Sequence, residues 1–279
     1  MRLLAKIFGA RQLVPIEAKR VCQRILCVLD ISADKLLRHD AAVAEPAKRC
    51  NGCGWTGRAF IDHPEGPTIG CPRCGLVTIN DLLSDVPHFH TDSLGRPASF
   101  TIDPAVLAYL EPLVGKGMRT LETGAGLSTV LFALRGAHHI CITPIAGEAE
   151  VVKQYCQKHS ISLQEVKFII ERSEDVLPRL DHDYLDMVLI DGGHGFPIPF
   201  IDWFYAARLL RPGGLMIVDD TLIKTGRILS EFLEVDPHWK LLTELHNTSI
   251  FEKISHGGHL SEWTDQPYTR KDFPCTFQS

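Results

Sequence analysis

The chain has 279 residues, 45% hydrophobic and 23% charged, with 29 basic against 34 acidic side chains and a formal net charge of −5. That composition excludes a disordered chain, and a chain of this length buries enough surface to need no disulfide staples. The acidic balance argues against a protein built to hold nucleic acid. No apolar run is long enough for a membrane span, and the opening MRLLAKIFGARQLVP lacks the pattern of a secretory signal, so a cytoplasmic protein is expected.

Five regions follow in chain order. Residues 1–49 carry helical periodicity (Val21, Ile25, Val28, Leu29) and read as a helical N-terminal segment. Residues 50–80 are dense in Cys and Gly, 81–103 read as a linker or lid loop, 104–254 form an α/β domain, and 255–279 form an irregular tail. Within the α/β domain, Asp103 and Pro104 open a helix to about Val114. Strand 119–122 and helix 127–135 follow, then strand 139–143, helix 148–159, strand 167–171 and a short helix 174–180. Strand 186–191 leads to helix 201–210, and strand 215–219 to helix 226–233. The segments 239–245 and 248–253, two residues apart, predict an antiparallel hairpin. The fold class is therefore α/β, with five parallel strands, crossover helices and a terminal hairpin.

Four of the nine cysteines fall into CNGC (Cys50, Cys53) and CPRC (Cys71, Cys74), each followed by Gly. Two residues between thiolates let both sulfurs of a tight turn face one tetrahedral ion, so the spacing predicts a four-cysteine Zn²⁺ site. A redox dithiol and unrelated thiols are the alternatives. The motif resembles the zinc ribbons of many enzymes and nucleic-acid proteins. With no open ligand position it is structural, and it offers a surface for a protein partner. His63, between the pairs, reads as a loop residue.

LETGAGLST, residues 121–129, follows a strand and opens a helix. Gly124 and Gly126, with Ala125 between them, permit a sharp turn that a ligand can approach closely. A dinucleotide fold would want glycine where Thr129 stands, and Glu122 would repel a pyrophosphate. The segment resembles the first motif of class I S-adenosylmethionine-dependent methyltransferases, which gives the domain a Rossmann-like sheet and places Glu122, Gly124, Ala125 and Gly126 at the cofactor. SEDVLPRL at 173–180 is similar to the catechol O-methyltransferase segment that contacts adenine, implying Ser173 and Glu174 as cofactor residues; a plain helix start is the alternative reading. RPGGLMIVDD at 211–220 resembles the family's turn into its fifth strand. At the position where the family carries a ribose-binding acid stands Thr143, and Glu148 reads as part of the next helix.

Asp191 in MVLIDGGHG and the pair Asp219-Asp220 end two strands that leave the sheet on one edge, where open α/β sheets bind ligands. Gathered carboxylates repel one another unless protons or a cation intervene, and hard oxygen ligands suit Mg²⁺. Solvated carboxylates are the alternative. In the catechol and macrocin O-methyltransferases such carboxylates hold a divalent ion; the resemblance carries this to Asp191, Asp219 and Asp220, places Asp191 also at the cofactor, and makes His194 the base with Asp191 beside it. His88 and His90 are candidates for a lid, and Trp203, Phe204 and Tyr205 read as helix packing. The implied function is methylation of a small-molecule hydroxyl with metal assistance. The alternatives are a methyltransferase-like binding module that no longer turns over, and a protein methyltransferase.

Overall fold

In a computed structural model the described residues are 48–49, 56–57, 77–91, 94–98, 101–181, 184–257 and 262–270. Most of the expected N-terminal helical segment, and the expected zinc ligands Cys50, Cys53, Cys71 and Cys74, lie outside them. The chain divides into two units, residues 1–59 and 60–279. In the first, strands β1 (Lys48–Arg49) and β2 (Thr56–Gly57) pair antiparallel, Lys48 opposite Gly57, and bracket the first cysteine pair in sequence.

Among the described residues, the first elements of the second unit are helix α1 (Ile79–Leu82) and a small antiparallel pair, β3 (His90–Thr91) and β4 (Pro97–Ala98). Helix α2 (Pro104–Leu110) starts as the sequence predicts, with the Asp103 carboxylate accepting from the Ala105 N–H at 2.7 Å and Pro104 in the first turn. Strand and helix then alternate: β5 (Arg119–Thr123), α3 (Leu127–Leu134), β6 (His138–Ile142), α4 (Ala146–Lys158), β7 (Val166–Ile169), α5 (Ser173–Val176), β8 (Leu185–Ile190), α6 (Ile198–Leu209), β9 (Leu210–Val218) and α7 (Lys224–Val235). The hairpin β10 (Trp239–Leu245) and β11 (Thr248–Lys253) has the predicted bounds. A last short helix, α8 (Pro267–Arg270), lies in the tail expected to be irregular.

The main sheet runs β10-β11-β9-β8-β5-β6-β7, its five central-domain strands β5 to β9 parallel and the hairpin antiparallel at one side. Both faces are covered, which is why the parallel strands read as continuous apolar runs. In β8, Met187 and Leu189 join one core cluster with Leu131, Phe132 and Val152, while Val188 and Ile190 join the other with Trp203, Ala206 and Leu229. Helix α7 buries Gly226, Leu229, Ser230 and Leu233 and exposes Arg227, Glu231 and Glu234, the 3.6-residue pattern of a surface helix. Trp203 packs edge-on against Phe232 with ring centroids 5.0 Å apart, in agreement with the packing role expected for it. Buried Lys253 donates from Nζ to the carbonyls of Ala207 (2.6 Å) and Leu210 (2.7 Å), closing the C-terminal end of α6.

Two expectations need correction. The domain does not start at residue 104: Ile79, Leu82, Phe89 and Ile102 are buried in the same cluster as Leu107 and Leu131, so apolar side chains of the supposed ribbon and linker complete its core. The PGG sequence at 212–214 does not delay the strand to Leu215. Strand β9 begins at Leu210, and a register shift against β8, between Leu185 and Met187, absorbs the extra residues as an irregularity in the ladder.

Candidate active site

Strand β5 has β6 on one side and β8 on the other, and the chain visits β6 and β7 before crossing back to β8 and β9. The order reverses at β5, which is where an open parallel sheet forms its ligand crevice. The ladder continues one residue beyond each strand: Gly124 N–H donates to the Ile142 carbonyl (2.9 Å), Thr143 to Ile169 (3.1 Å), Asp191 to Thr123 (3.1 Å) and Asp219 to Ile190 (3.0 Å). Four positions singled out by the sequence thus stand in one row at the carboxyl edge. Above them opens a cavity of about 850 Å³ lined by Gly124, Ala125, Gly126, Thr143, Ser173, Glu174, Asp191, His194, Asp219 and Asp220.

The glycine turn is fixed from below. Gly124 has φ +96°, and a Cβ there would overlap the Asp191 carbonyl oxygen and approach its carbon to 3.0 Å. Glycine is therefore needed because the Asp191 backbone passes directly behind the turn. Glu122 does not face the cavity as expected. It is 1% exposed, accepts from Ser128 Oγ at 2.6 Å and from the Thr129 hydroxyl, and lies 3.0 Å from His139 Nε2. Thr129 in turn accepts from the Gly126 N–H (3.1 Å), and His139 Nδ1 is 2.8 Å from Thr120 Oγ1. The physical reason is alternation: Glu122 is the penultimate strand residue and its side chain enters the layer between sheet and α3. It holds the turn from beneath, and Thr129, which departs from the dinucleotide pattern, is its partner.

Thr143 lines the cavity and donates from Oγ1 to Glu148 Oε2 at 2.7 Å. Glu148, in the first turn of α4, also lines the cavity, and its other oxygen lies 2.8 Å from His90 Nδ1. The next helix thus places an acid beside Thr143 at the cavity wall. The sequence signal was an acidic residue in a helical first turn, which the capping preference for acids explains equally well.

At the β8 and β9 ends, ligand atoms of Asp191, His194 and Asp220 lie within 4.8 Å of one another, with His194 Nε2 3.1 Å from Asp220 Oδ2. Asp220 adopts φ +54° and accepts from Asn247 Nδ2 at 2.9 Å. Asp219, expected in the ion set, accepts from the Thr248 hydroxyl; the convergent donor group takes His194 in its stead. Burial, then the charges of Asp219, Asp220 and Glu122, push the Asp191 carboxyl well above the usual carboxylate range. Burial also raises Asp219. The arrangement favours a shared proton or a cation over full ionisation.

Asp202 of α6 escaped sequence reasoning. It is fully buried beside the hydroxyls of Ser173 and Thr123, and burial pushes it up to about 6. Neither of its oxygens makes a hydrogen bond of good geometry. His90 and Ile102, from the segment before α2, also line the cavity, as does Thr101. No helix among the described residues is long and apolar enough to cross a membrane.

The sequence profile of a family described as "Methyltransferase domain" matches residues 121–221. A relative from Mycobacteroides abscessus described as "Putative O-methyltransferase" is 33% identical over 164 residues, covering 57% of this chain and 71% of its own length. One from Mycolicibacterium paratuberculosis with the same description is 34% identical over 125 residues, covering 42% of this chain and 55% of its own. The chain thus spans about half the length of several curated relatives that it matches. Among solved structures, cofactor-bound Rv0187 from MTB is 19% identical with a TM-score of 0.49, covering 57% of this chain and 84% of that one. The O-methyltransferase TomG from Streptomyces achromogenes, in complex with SAM, is 20% identical with a TM-score of 0.46, covering 56% and 82%.

Proposed function

This chain belongs to the class I S-adenosylmethionine-dependent O-methyltransferase family, and from that premise we propose that it methylates a hydroxyl of a small-molecule acceptor. The observation that carries the reading is the meeting, at the switch point of the sheet, of the Gly124–Gly126 turn, the Glu148 carboxylate and the Asp191–His194–Asp220 group around one cavity. The fit to the cofactor rests on that donor set. The turn gives the cavity wall glycine backbone at Gly124 and Gly126. Glu148 accepts one bond on each oxygen from Thr143 and His90 and keeps further lone pairs for the ribose hydroxyls. Ser173 and Glu174 line the β7 side, where adenine would lie.

Bound S-adenosylmethionine supplies an electrophilic methyl on a sulfonium. The protein aligns the acceptor oxygen with it and takes the hydroxyl proton. His194 is assigned that proton, with Asp220 at 3.1 Å orienting the ring. A second reading is favoured by the convergence of Asp191, His194 and Asp220: these residues would hold a divalent ion, which would supply positive charge to an acceptor oxygen. With an ion held there, His194 is a ligand rather than a base. One structural Zn²⁺ on Cys50, Cys53, Cys71 and Cys74 is also proposed, supported by their spacing and by the paired strands on either side of the first cysteine pair.

Calorimetric titration with S-adenosylmethionine and S-adenosylhomocysteine, with and without Mg²⁺, tests the cofactor reading; heat of binding for neither would refute it. Activity on a catechol-type hydroxyl panel in chelator separates the two roles of His194. Elemental analysis should show one zinc per chain that Cys71→Ser loses, and zinc retained by that variant would refute the ribbon.

A further inference from the structure

With Glu122 committed beneath the turn, the amino-acid end of the cofactor meets whatever faces Gly124–Gly126 from above. The structure brings a residue there from outside the strand-and-helix repeat. The β3–β4 hairpin carries His90 over the cleft, its Nδ1 2.8 Å from Glu148 Oε1 at the start of α4. The other ring nitrogen faces the start of α3, since a Cβ placed on Gly126 would come 3.6 Å from Nε2. The ring therefore spans the two helix starts that flank the cofactor turn, and it is only partly exposed, 19%.

Charge selects the group that the ring would meet. Among the described residues lining the cavity, the acids are Glu148, Glu174, Asp191, Asp219 and Asp220, and the side chains able to carry positive charge are His90, Arg172 and His194. Arg172 lies 3.4 Å from Glu174 on the β7 side, and His194 lies 3.1 Å from Asp220 on the β9 side. At the glycine turn the side chain able to carry positive charge is His90. An α-amino acid carries an ammonium that the carboxylate-rich floor attracts and a carboxylate that it repels, so the carboxylate needs a donor on the opposite side.

We propose that His90, oriented by Glu148, donates from Nε2 to the carboxylate of the cofactor's amino-acid end, so that the hairpin preceding the domain completes the cofactor site. The inference rests on the methyltransferase reading above. With both nitrogens protonated, the ring donates to Glu148 through Nδ1 and to the bound carboxylate through Nε2, one anion on each side. The same contact couples the two ends of the cofactor, because the acid that meets the ribose is the one that aims the ring.

The test compares S-adenosylmethionine with its decarboxylated analogue, which has the same sulfonium, ribose and adenine but no carboxylate. Titration calorimetry on the full-length wild type and on His90→Ala and His90→Gln gives the affinities. Wild type should prefer S-adenosylmethionine over the analogue. His90→Ala should weaken S-adenosylmethionine by about 10- to 100-fold, the range for a bond to a charged group, and weaken the analogue by clearly less, so that the wild-type preference is lost. His90→Gln, which keeps a donor and a similar size, should restore part of the preference and guards against misfolding of the alanine variant. Equal loss for both ligands in both variants would make His90 a structural strap and overturn the proposal, as would no loss for either. If wild type binds neither S-adenosylmethionine nor S-adenosylhomocysteine, the methyltransferase reading itself falls, and that outcome is distinct from a failure confined to the His90 variants.

Discussion

Gly124→Ala separates a steric account of the turn from a ligand-clearance account. At φ +96° an L-residue is strained by about 1–2 kcal/mol. The added methyl overlaps the Asp191 carbonyl oxygen and sits 3.0 Å from the Asp191 carbon and 3.5 Å from the Gly192 nitrogen, all backbone, so no side chain can swing aside. Such overpacking costs about 1–3 kcal/mol more, for a total of about 2–5 kcal/mol. At about 2–4 °C per kcal/mol for a domain of this size, the melting temperature should fall by about 4–20 °C. Gly126→Ala is the internal control. Its φ of −177° is ordinary extended backbone, and its new methyl meets the His90 ring at 3.6 Å, an unforced contact. It should melt within about 2 °C of wild type. Scanning calorimetry of the ligand-free proteins measures both. If Gly124→Ala melts with the control, the Asp191 backbone does not pass behind the turn and the geometry of the cleft floor is wrong.

Other outcomes follow from single contacts. Asp202 holds its proton more tightly in the folded state, about 6 against an ordinary value of 3.8, so it makes stability fall as pH rises between those values, by roughly 3 kcal/mol in all. Asp202→Asn should remove that slope, and denaturant titrations from pH 4 to 7 that stay parallel to wild type would refute it. Glu148→Gln should weaken S-adenosylmethionine binding about tenfold by removing the charged acceptor; unchanged affinity would show that the ribose is held elsewhere. His194→Ala should lower turnover by about 10²–10⁴ with little effect on cofactor affinity, and a loss confined to binding would remove it from the chemistry.

Local signals survive translation into structure where one segment decides the outcome alone. The period of LDMVLI, the Asp103-Pro104 helix start and the two-residue gap between β10 and β11 depend on near neighbours, and each appears in the fold with bounds at or close to those read from the sequence. The row of Gly124, Thr143, Asp191 and Asp219 at one sheet edge was also legible, because parallel strands leave the sheet on the same side. What the sequence hides is the direction of a side chain at the end of a strand. Glu122 and Asp191 both stand at strand ends, yet one is held beneath the turn and the other lines the cavity; Asp191 lies two residues beyond the register partner of Glu122, a full period, so position along the strand and not alternation separates them. Contacts made by chain from outside the repeat are equally hidden. Nothing near His90 in sequence announces Glu148, which is 58 positions away.

Thr143 and Glu148 show why matching positions one by one misleads at such a site. Read as a column, Thr143 is a lost acid and a weakened cofactor subsite. In space, the turn from β6 into α4 is tight: Ile145 N–H donates to Thr143 Oγ1 at 3.2 Å, and Glu148 N–H donates to the Ile145 carbonyl at 3.1 Å. That folding-back brings the first turn of α4 over the strand end, so residues five apart share one spot at the cavity wall. The threonine hydroxyl then donates to the glutamate and steadies it at the cavity wall. A glutamate at 143 would put a second charge against Glu148 and repel it, so the substitution that a column comparison recommends as a repair should weaken the site instead. The requirement imposed by a ribose is an acceptor at a point in space, and on the reading proposed above Glu148 supplies it from the helix.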